Sequence, residues 1–236
     1  MCDVTYEIPT PEWLAAQQFT VTYHGVATHA AGAPWQGVNA LDAAAACYNG
    51  VSLLRQQIQP TSRIHCIIAE GGEKVNIIPE RAVLQLVARA LTDDDKNKLL
   101  EKIESCARGA ATSTGCTVDI QRDRFSFSAV KTNRPLIDLY VCNAKSLGVE
   151  FNDSAADMSA CTDMGNVSQV KPSIHPLFKI NTEGANHTRE FTKASGCSTN
   201  QVATLNSAKG LAMTVVDVIC GGNELMERIR KDFSTA

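Results

Sequence analysis

Two histidines stand in loop-forming sequence, where an imidazole is available for chemistry. His29 follows a predicted strand, in a run of glycine, alanine and threonine. Small neighbours let a ligand approach closely, so this imidazole could form hydrogen bonds or transfer a proton. His187 stands in a second loop beside Glu183 and Glu190, where an imidazole near carboxylates could bind a metal. From the residues alone, an ordinary surface role stays open for both histidines.

Arg89 and the segment 71–79 are the other unusual features. Arg89 interrupts an apolar strand, and a guanidinium among aliphatic side chains is costly unless it is paired. It therefore predicts an internal carboxylate partner or an anionic ligand. The segment 71–79 contains two adjacent glycines, Asn76 and Pro79, which predicts a tight, specific backbone path between two strands. For the remaining histidines, at positions 24, 65 and 175, packing or surface roles are favoured.

The pattern of residues 18–124 predicts strand, helix, strand, strand, helix and strand, in that order. Strands are indicated by apolar runs, alternating or continuous, at 19–23, 64–68, 83–91 and 117–120. Asn39 can cap a helix whose buried face would be Leu41, Ala44, Ala45, Tyr48 and Val51. Three aspartates begin the second helix, whose apolar stripe is Leu99, Leu100, Ile103, Ala107 and Ala110. This order is typical of an α+β, ferredoxin-like fold with both helices on one face of an antiparallel sheet, whose edges need a cover.

Residues 125–236 have a different pattern of predicted elements, with more helix and less strand. A helix opens at Pro135, an irregular stretch spans 150–172, a strand is predicted at 174–180 and a loop at 181–196. Two further helices carry apolar stripes: Leu205, Ala208, Leu211, Ala212, Val215 and Ile219 in the first, Leu225, Ile229 and Phe233 in the second. These elements do not complete a sheet, so they predict part of a larger α/β domain whose other strands are not in this chain.

Composition narrows the class of protein. The 236 residues are 44% hydrophobic and 20% charged, which excludes wholesale disorder. A net charge of −3 gives no electrostatic case for a nucleic-acid or anionic-membrane partner. No uninterrupted apolar run approaches the ~18 residues of a membrane span, and the acidic start is unlike a secretory signal. The nine cysteines form no C-x-x-C pair, which favours reduced thiols in the cytoplasm and argues against a structural zinc site.

Several blocks of sequence resemble the M20 metallopeptidases. The lid, or dimerisation, domain of that family is matched by His24-Gly, His29-Ala, Pro34-Trp, Gly37, Asn39-Ala-Leu-Asp-Ala, Gly71-Gly72 and Asn76-Ile-Ile-Pro79. The last part of its catalytic domain is similar to residues 162–168, 173–176 and 186–192. Within the family, the combination is most similar to cytosolic dipeptidases of the Xaa-Arg and β-alanyl-lysine type.

The resemblance implies a division of the chain and a reaction. Residues 18–124 would be the lid domain, 125–236 the C-terminal part of the catalytic domain, and 1–17 a linker or a remnant of the catalytic domain. The family reaction is hydrolysis of the amide bond of dipeptides or N-acyl amino acids. Two zinc ions activate the attacking water, and a glutamate is the general base. The resemblance also implies a homodimer formed through the lid.

Five residues receive roles from the resemblance. His187 is the one metal ligand that the C-terminal region supplies, and His29 is the lid histidine that reaches the partner subunit's site and stabilises the oxyanion. Asn76 contacts substrate, Arg89 pairs with its carboxylate, and Asp163 belongs to a substrate-binding loop. In a sheet of this topology, His29 and Asn76 lie at one end and Arg89 toward the other.

The chain also departs from the family pattern. The family's H-x-D metal motif, its Glu-Glu pair and a further ligand all precede the lid, and residues 1–17 do not supply them. Ala160-Cys161 replaces the Gly-Ser that the family has before Thr-Asp. A zinc site needs at least three protein ligands, and this chain supplies at most one. We therefore expect a truncated form that is inactive alone. The alternatives are a non-catalytic dimerisation or regulatory module, and a small amino-acid-binding domain.

Overall fold

The computed structural model describes residues 8–151 and 160–235, which form two compact units. The sheet unit is Ala15–Phe127, and the helical unit comprises the described residues of 8–14 and 128–235. The sheet unit extends three residues beyond each boundary predicted for the lid, because its first strand starts at Ala15 and its last ends at Phe127. Parts of the predicted linker 1–17 and of the irregular stretch 150–172 lie outside the described residues.

The sheet unit contains the six predicted elements in the predicted order. They are β1 (Ala15–His24), α1 (Ala40–Leu54), β2 (Arg63–Glu70), β3 (Arg81–Ala90), α2 (Asp93–Thr114) and β4 (Thr117–Phe127). The strands form one antiparallel sheet in the order β2-β3-β1-β4, which places β2 and β4 at its edges. Buried residues of α1 and α2 join those of the strands in one core, so both helices cover the same face.

Local caps begin both helices of the sheet unit. The Asn39 Oδ1 accepts a hydrogen bond from the Leu41 backbone N–H, and the Thr92 Oγ1 accepts one from Asp95. All five residues of the predicted α2 stripe are buried. The predicted face of α1 is partly wrong. The buried residues are Ala40, Ala43, Ala44, Cys47 and Val51, whereas Leu41 and Ala45 are half-buried and Tyr48 is exposed. Small residues allow α1 to lie close against the sheet, which leaves its larger side chains at the margin.

The helical unit contains five α-helices among its described residues. They are α3 (Arg134–Ser146), α4 (Met164–Ser168), α5 (Arg189–Ser195), α6 (Gln201–Cys220) and α7 (Gly222–Thr235). Thus α4 lies inside the predicted irregular stretch, and α5 inside the predicted loop 181–196. The strand predicted at 174–180 was wrong. Only isolated bridges occur there, from Ser173 to Thr132 and from Leu177 to Ile8. A strand needs a run of consecutive pairs with a neighbour, and in the described part of this unit the pairing stops at these single bridges.

Candidate functional site

The loops at one end of the sheet bring His29 and Asn76 together. His29 follows β1 and forms an isolated bridge with Ile77, just before β3. The Ala30 N–H donates to the Asn76 carbonyl at 3.0 Å, and the Ile78 N–H donates to the Thr28 carbonyl at 2.9 Å. Both side chains are exposed. The structure therefore holds the backbones of two loops together, one carrying an exposed imidazole and the other an exposed amide.

The His29 ring has one nitrogen committed to its own loop. Its Nδ1 accepts hydrogen bonds from the Ala31 N–H at 3.2 Å and the Gly32 N–H at 3.0 Å. Because Nδ1 is an acceptor, the neutral ring carries its hydrogen on Nε2. The backbone thus orients the ring and leaves an N–H donor free to bind an oxygen of a ligand.

Glycines give the neighbouring loops their tight path. Gly72 has a φ of +107°, and a Cβ there would lie 2.7 Å from the Pro79 Cγ. A Cβ on Gly37 would lie 2.6 Å from the Thr28 Oγ1, beside His29. The constrained path predicted for residues 71–79 is therefore present.

A cavity of about 720 Å³ lies along this hairpin, lined by residues 69–74, 77–81 and Ala27. Glu70 and Arg81 are among the lining residues and form an ion pair where β2 ends and β3 begins. Sequence reasoning did not single out either residue. Opposite charges that flank a Gly-Gly…Pro segment would have been the available indication, since such residues face each other across a hairpin.

Arg89 lies at the other end of the same sheet. In the strand register it is opposite Ala16 of β1 and Arg63 of β2, eight residues from Arg81. At about 3.4 Å per residue, this is roughly 27 Å from the start of β3. Burial, followed by the charges of Arg89, Arg55 and Arg63, lowers the pKa of His65. The structure thus separates Arg89 from His29 and Asn76, as the topology predicted, and places Arg63 opposite it on β2.

His187 stands immediately before α5 in a left-handed conformation, with a φ of +68°. The following residue caps α5, because the Thr188 Oγ1 accepts from the Phe191 N–H. The His187 ring is exposed. Within residues 8–151 and 160–235, no three His, Cys, Asp or Glu side chains are grouped to hold a metal. These residues therefore do not fit a zinc site by themselves, and His187 is a single candidate ligand.

Asp163 precedes α4 and is exposed. Its charge opposes the lowering of the His175 pKa, which burial dominates. The His175 ring packs edge-on against Trp13 at 4.9 Å, and the Trp13 Nε1 donates to the His175 carbonyl. His175 therefore has a packing role, and Asp163 lies near it within the helical unit.

Comparison with known proteins identifies relatives for most of the chain. The peptidase dimerisation domain of the M20 family matches residues 15–114. The Xaa-Arg dipeptidases of Mus musculus and Homo sapiens are 47% and 44% identical over 223 residues. Those residues are 93% of this chain but 52% and 51% of the two proteins, so the chain spans about half the length of these relatives.

The solved structures include an amidase of the hydantoinase/carbamoylase family from Burkholderia vietnamiensis, with a TM-score of 0.69 and 15% identity. The match covers 89% of this chain and 49% of that chain, and it shows a shared fold alone. Residues 15–114 therefore belong to the M20 peptidase dimerisation-domain family, as the motifs predicted, and the chain is similar over most of its length to M20 dipeptidases.

Proposed function

We propose that this chain is the lid domain and the C-terminal part of the catalytic domain of an M20-type dipeptidase or amidohydrolase. The reaction would be hydrolysis of the amide bond of a dipeptide or N-acyl amino acid. The motifs around His29, Asn76, Asp163 and His187 support this proposal, together with the identity to Xaa-Arg dipeptidases. The strand order of the sheet unit supports its assignment as a ferredoxin-like lid. The eight described cysteines are all free, in keeping with a cytoplasmic location.

The fixed orientation of the His29 ring is the main observation that supports the proposal. Its Nδ1 is occupied by two backbone N–H groups, so its exposed Nε2–H is a fixed donor. When water attacks an amide carbonyl, negative charge develops on the carbonyl oxygen. A donor aimed at that oxygen stabilises the transition state more than the substrate. Asn76, beside it, would hold a polar group of the same substrate.

The position of Arg89 is relevant to how many copies of the chain form one complete site. One lid cannot bring Arg89 to the substrate that its own His29 and Asn76 contact, because the two ends of β3 are roughly 27 Å apart. We therefore infer that a complete site uses lid residues from two copies, with Arg89 of one and His29 of the other. The guanidinium would pair with the substrate carboxylate.

The exposed edge strand β2 supports a homodimer through the lid. Ile67 and Ile68 of β2 are exposed, as is Leu53 of the adjacent α1. An apolar edge strand pairs readily with a second copy. Light scattering at micromolar concentration should give the dimer mass, and Ile68→Lys should shift it to the monomer mass. A monomer alone in the parent protein would contradict this assignment.

Zinc is retained in the proposal as the cofactor of the complete enzyme, where it would activate the attacking water. His187 would supply one ligand, and the others must come from residues outside the described ones. Since the described residues do not form the site, we expect this chain alone, with added zinc, to leave dipeptides uncleaved. Robust turnover by the purified chain would contradict that expectation.

The deciding experiment is a chimera. The part of the mouse Xaa-Arg dipeptidase that this chain does not match would be joined to it and assayed with dipeptides that end in arginine. We expect turnover in the parent chimera and a fall in kcat of roughly 10²–10³ for His29→Asn. His24→Asn is the matched control, an exposed histidine held by Asp119. Equal kcat for His29→Asn and the parent would remove the proposed role.

Because the described residues do not form a zinc site by themselves, a second candidate function is that of a non-catalytic dimerisation or regulatory module. It would use the same sheet unit for pairing and would need no zinc. An H-x-D motif and a Glu-Glu pair upstream in the same reading frame would decide for the enzyme. An inactive chimera that still dimerises would decide for the module.

A further inference from the structure

Trp35 lies in the same loop as His29 and is connected to it by hydrogen bonds. Residues Pro34–Gln36 form a short 3₁₀ turn. The Ala33 N–H donates to the His29 carbonyl at 3.1 Å, and the Gln36 N–H donates to the Ala33 carbonyl at 3.1 Å. Consecutive backbone hydrogen bonds therefore link the turn that carries the indole to the residue that carries the imidazole.

The turn is also packed closely against the hairpin that carries Asn76. A Cβ on Gly37, the residue after the turn, would lie 2.7 Å from the Ile78 Cδ1 and 2.6 Å from the Thr28 Oγ1. Glycine allows this approach, because a side chain here would displace one of the two neighbours. Ile78 is two residues after Asn76 in the sequence. The backbone of Trp35 is therefore held beside both loops of the candidate site.

The Trp35 side chain is nevertheless 78% exposed. The other tryptophan, Trp13, is half-buried, packs its ring against His175 and donates its Nε1–H to the His175 carbonyl. Within residues 8–151 and 160–235, Trp35 has no such ring contact or side-chain hydrogen bond. Loop residues 26–38 contain no charged side chain. The face of an indole attracts cations more strongly than other aromatic rings do, so Trp35 is the residue of this loop best suited to hold a cation.

We propose that Trp35 is a specificity-determining residue whose indole face binds a cationic side chain on the C-terminal residue of the substrate. The proposal rests on the proposed function, in which the substrate's amide carbonyl accepts from the His29 Nε2–H. Trp35 is two residues from Ala33, so its Cα lies within roughly 15 Å of the His29 Cα. An arginine side chain extends about 7 Å from its Cα at ordinary bond lengths, and both protein side chains have reach of their own. One substrate molecule can therefore contact both residues.

The chimera with the mouse Xaa-Arg dipeptidase segment is the protein to test, with alanyl-arginine and alanyl-citrulline as probes. Citrulline has nearly the shape of arginine but no charge, so the ratio of kcat/KM for the two dipeptides isolates recognition of the cation. We expect Trp35→Leu to lower this ratio roughly threefold to thirtyfold through a higher KM for alanyl-arginine, with kcat kept. Trp35→Phe, which keeps a weaker π face, should lower it less. Phe125→Leu is the matched control, because Phe125 is also 78% exposed in the sheet unit, and should leave the ratio unchanged.

A packing role of Trp35 would give a different result. Trp35→Leu would then lower kcat/KM for both dipeptides equally, or shift the mass in light scattering from dimer to monomer. Either result, or an unchanged ratio, would overturn the proposal.

A chimera that cleaves neither dipeptide would contradict the proposed function, and isothermal titration calorimetry with alanyl-arginine then tests Trp35 by itself. Binding that Trp35→Leu weakens and Phe125→Leu does not would support the role of Trp35. No binding, or equal binding by Trp35→Leu and the parent chimera, would overturn it.

Discussion

The two units differ in how completely they bury their own apolar residues. In the sheet unit, twenty described residues form one buried cluster, which includes Phe19, Tyr23, Leu84, Leu100 and Ile103. In the helical unit, the corresponding cluster has three: Ile137, Tyr140 and Ala144. Its most apolar helix instead turns its stripe outward.

The two units therefore differ in whether the apolar face of an amphipathic helix is buried within the unit. In the sheet unit, α1 and α2 close over one face, so each stripe finds its partner within the same segment of chain. In the helical unit, the residues of the α6 stripe remain exposed in the part of the chain that the structure describes. We therefore expect the sheet unit to be a stable folding unit and the helical unit to depend on a partner.

The strongest test of this comparison separates the units. Limited proteolysis of the chain should remove the helical unit and leave a resistant fragment close to Ala15–Phe127. That fragment, expressed alone, should unfold in one sharp thermal transition, whereas residues 128–235 alone should show none by calorimetry. Equal cooperativity in both fragments would break the comparison.

Core substitutions in the two units should differ in their effect on the unfolding of the sheet unit. Leu100→Ala removes a side chain that is 1% exposed, so it should lower the free energy of unfolding of the sheet unit by about 2–5 kcal/mol. Ile137→Ala should leave the unfolding transition of the sheet unit within about 0.5 kcal/mol of the parent. Urea denaturation followed by circular dichroism measures both. A large effect of Ile137→Ala on that transition would mean that the two units unfold together.

Alkaline pH should weaken the sheet unit. Burial, with a further contribution from Cys47, raises the pKa of Cys66 to about 11, from an ordinary value of 9.0. The unfolded thiol ionises first, so this stability is present below pH 9 and is lost as pH rises toward 11. We expect a loss of roughly 2 kcal/mol by pH 11, seen in urea titrations at several pH values. Cys66→Ala should flatten this slope, and Cys142→Ala, at an exposed cysteine, should not.

The smallest effect concerns the surface of the sheet unit. Glu104 accepts from Arg122 at 2.6 and 2.9 Å and from Arg108 at 2.9 Å. Glu104→Gln should cost about 0.5–1 kcal/mol at low salt and less in 1 M NaCl, because salt screens exposed ion pairs. The exposed Glu101→Gln is the control. If Glu104→Gln lowered the free energy of unfolding as much as Leu100→Ala does, the ion pairs of the sheet unit, rather than its buried core, would account for its greater stability.

The sequence alone determined the elements of the sheet unit and the loops that carry its site. The cap at Asn39, the aspartates at the start of α2, the α2 stripe and the constrained path of residues 71–79 are local features. Each follows from the chemistry of a few adjacent residues, so no knowledge of distant contacts was needed. The antiparallel order also placed Arg89 away from His29, because strand direction alone decides which ends meet.

Only the tertiary structure decided which surface each pattern faces. The period of α6 aligned Leu205, Val215 and Ile219 correctly, but packing on α3 turned them outward. The run 174–180 formed no strand because, among the described residues, it pairs with a neighbour only at the single bridge between Leu177 and Ile8. The committed Nδ1 of His29 likewise depends on the fold of its loop. The spacing of apolar residues shows which of them share one face of a helix. What that face packs against is decided by residues that are distant in the sequence.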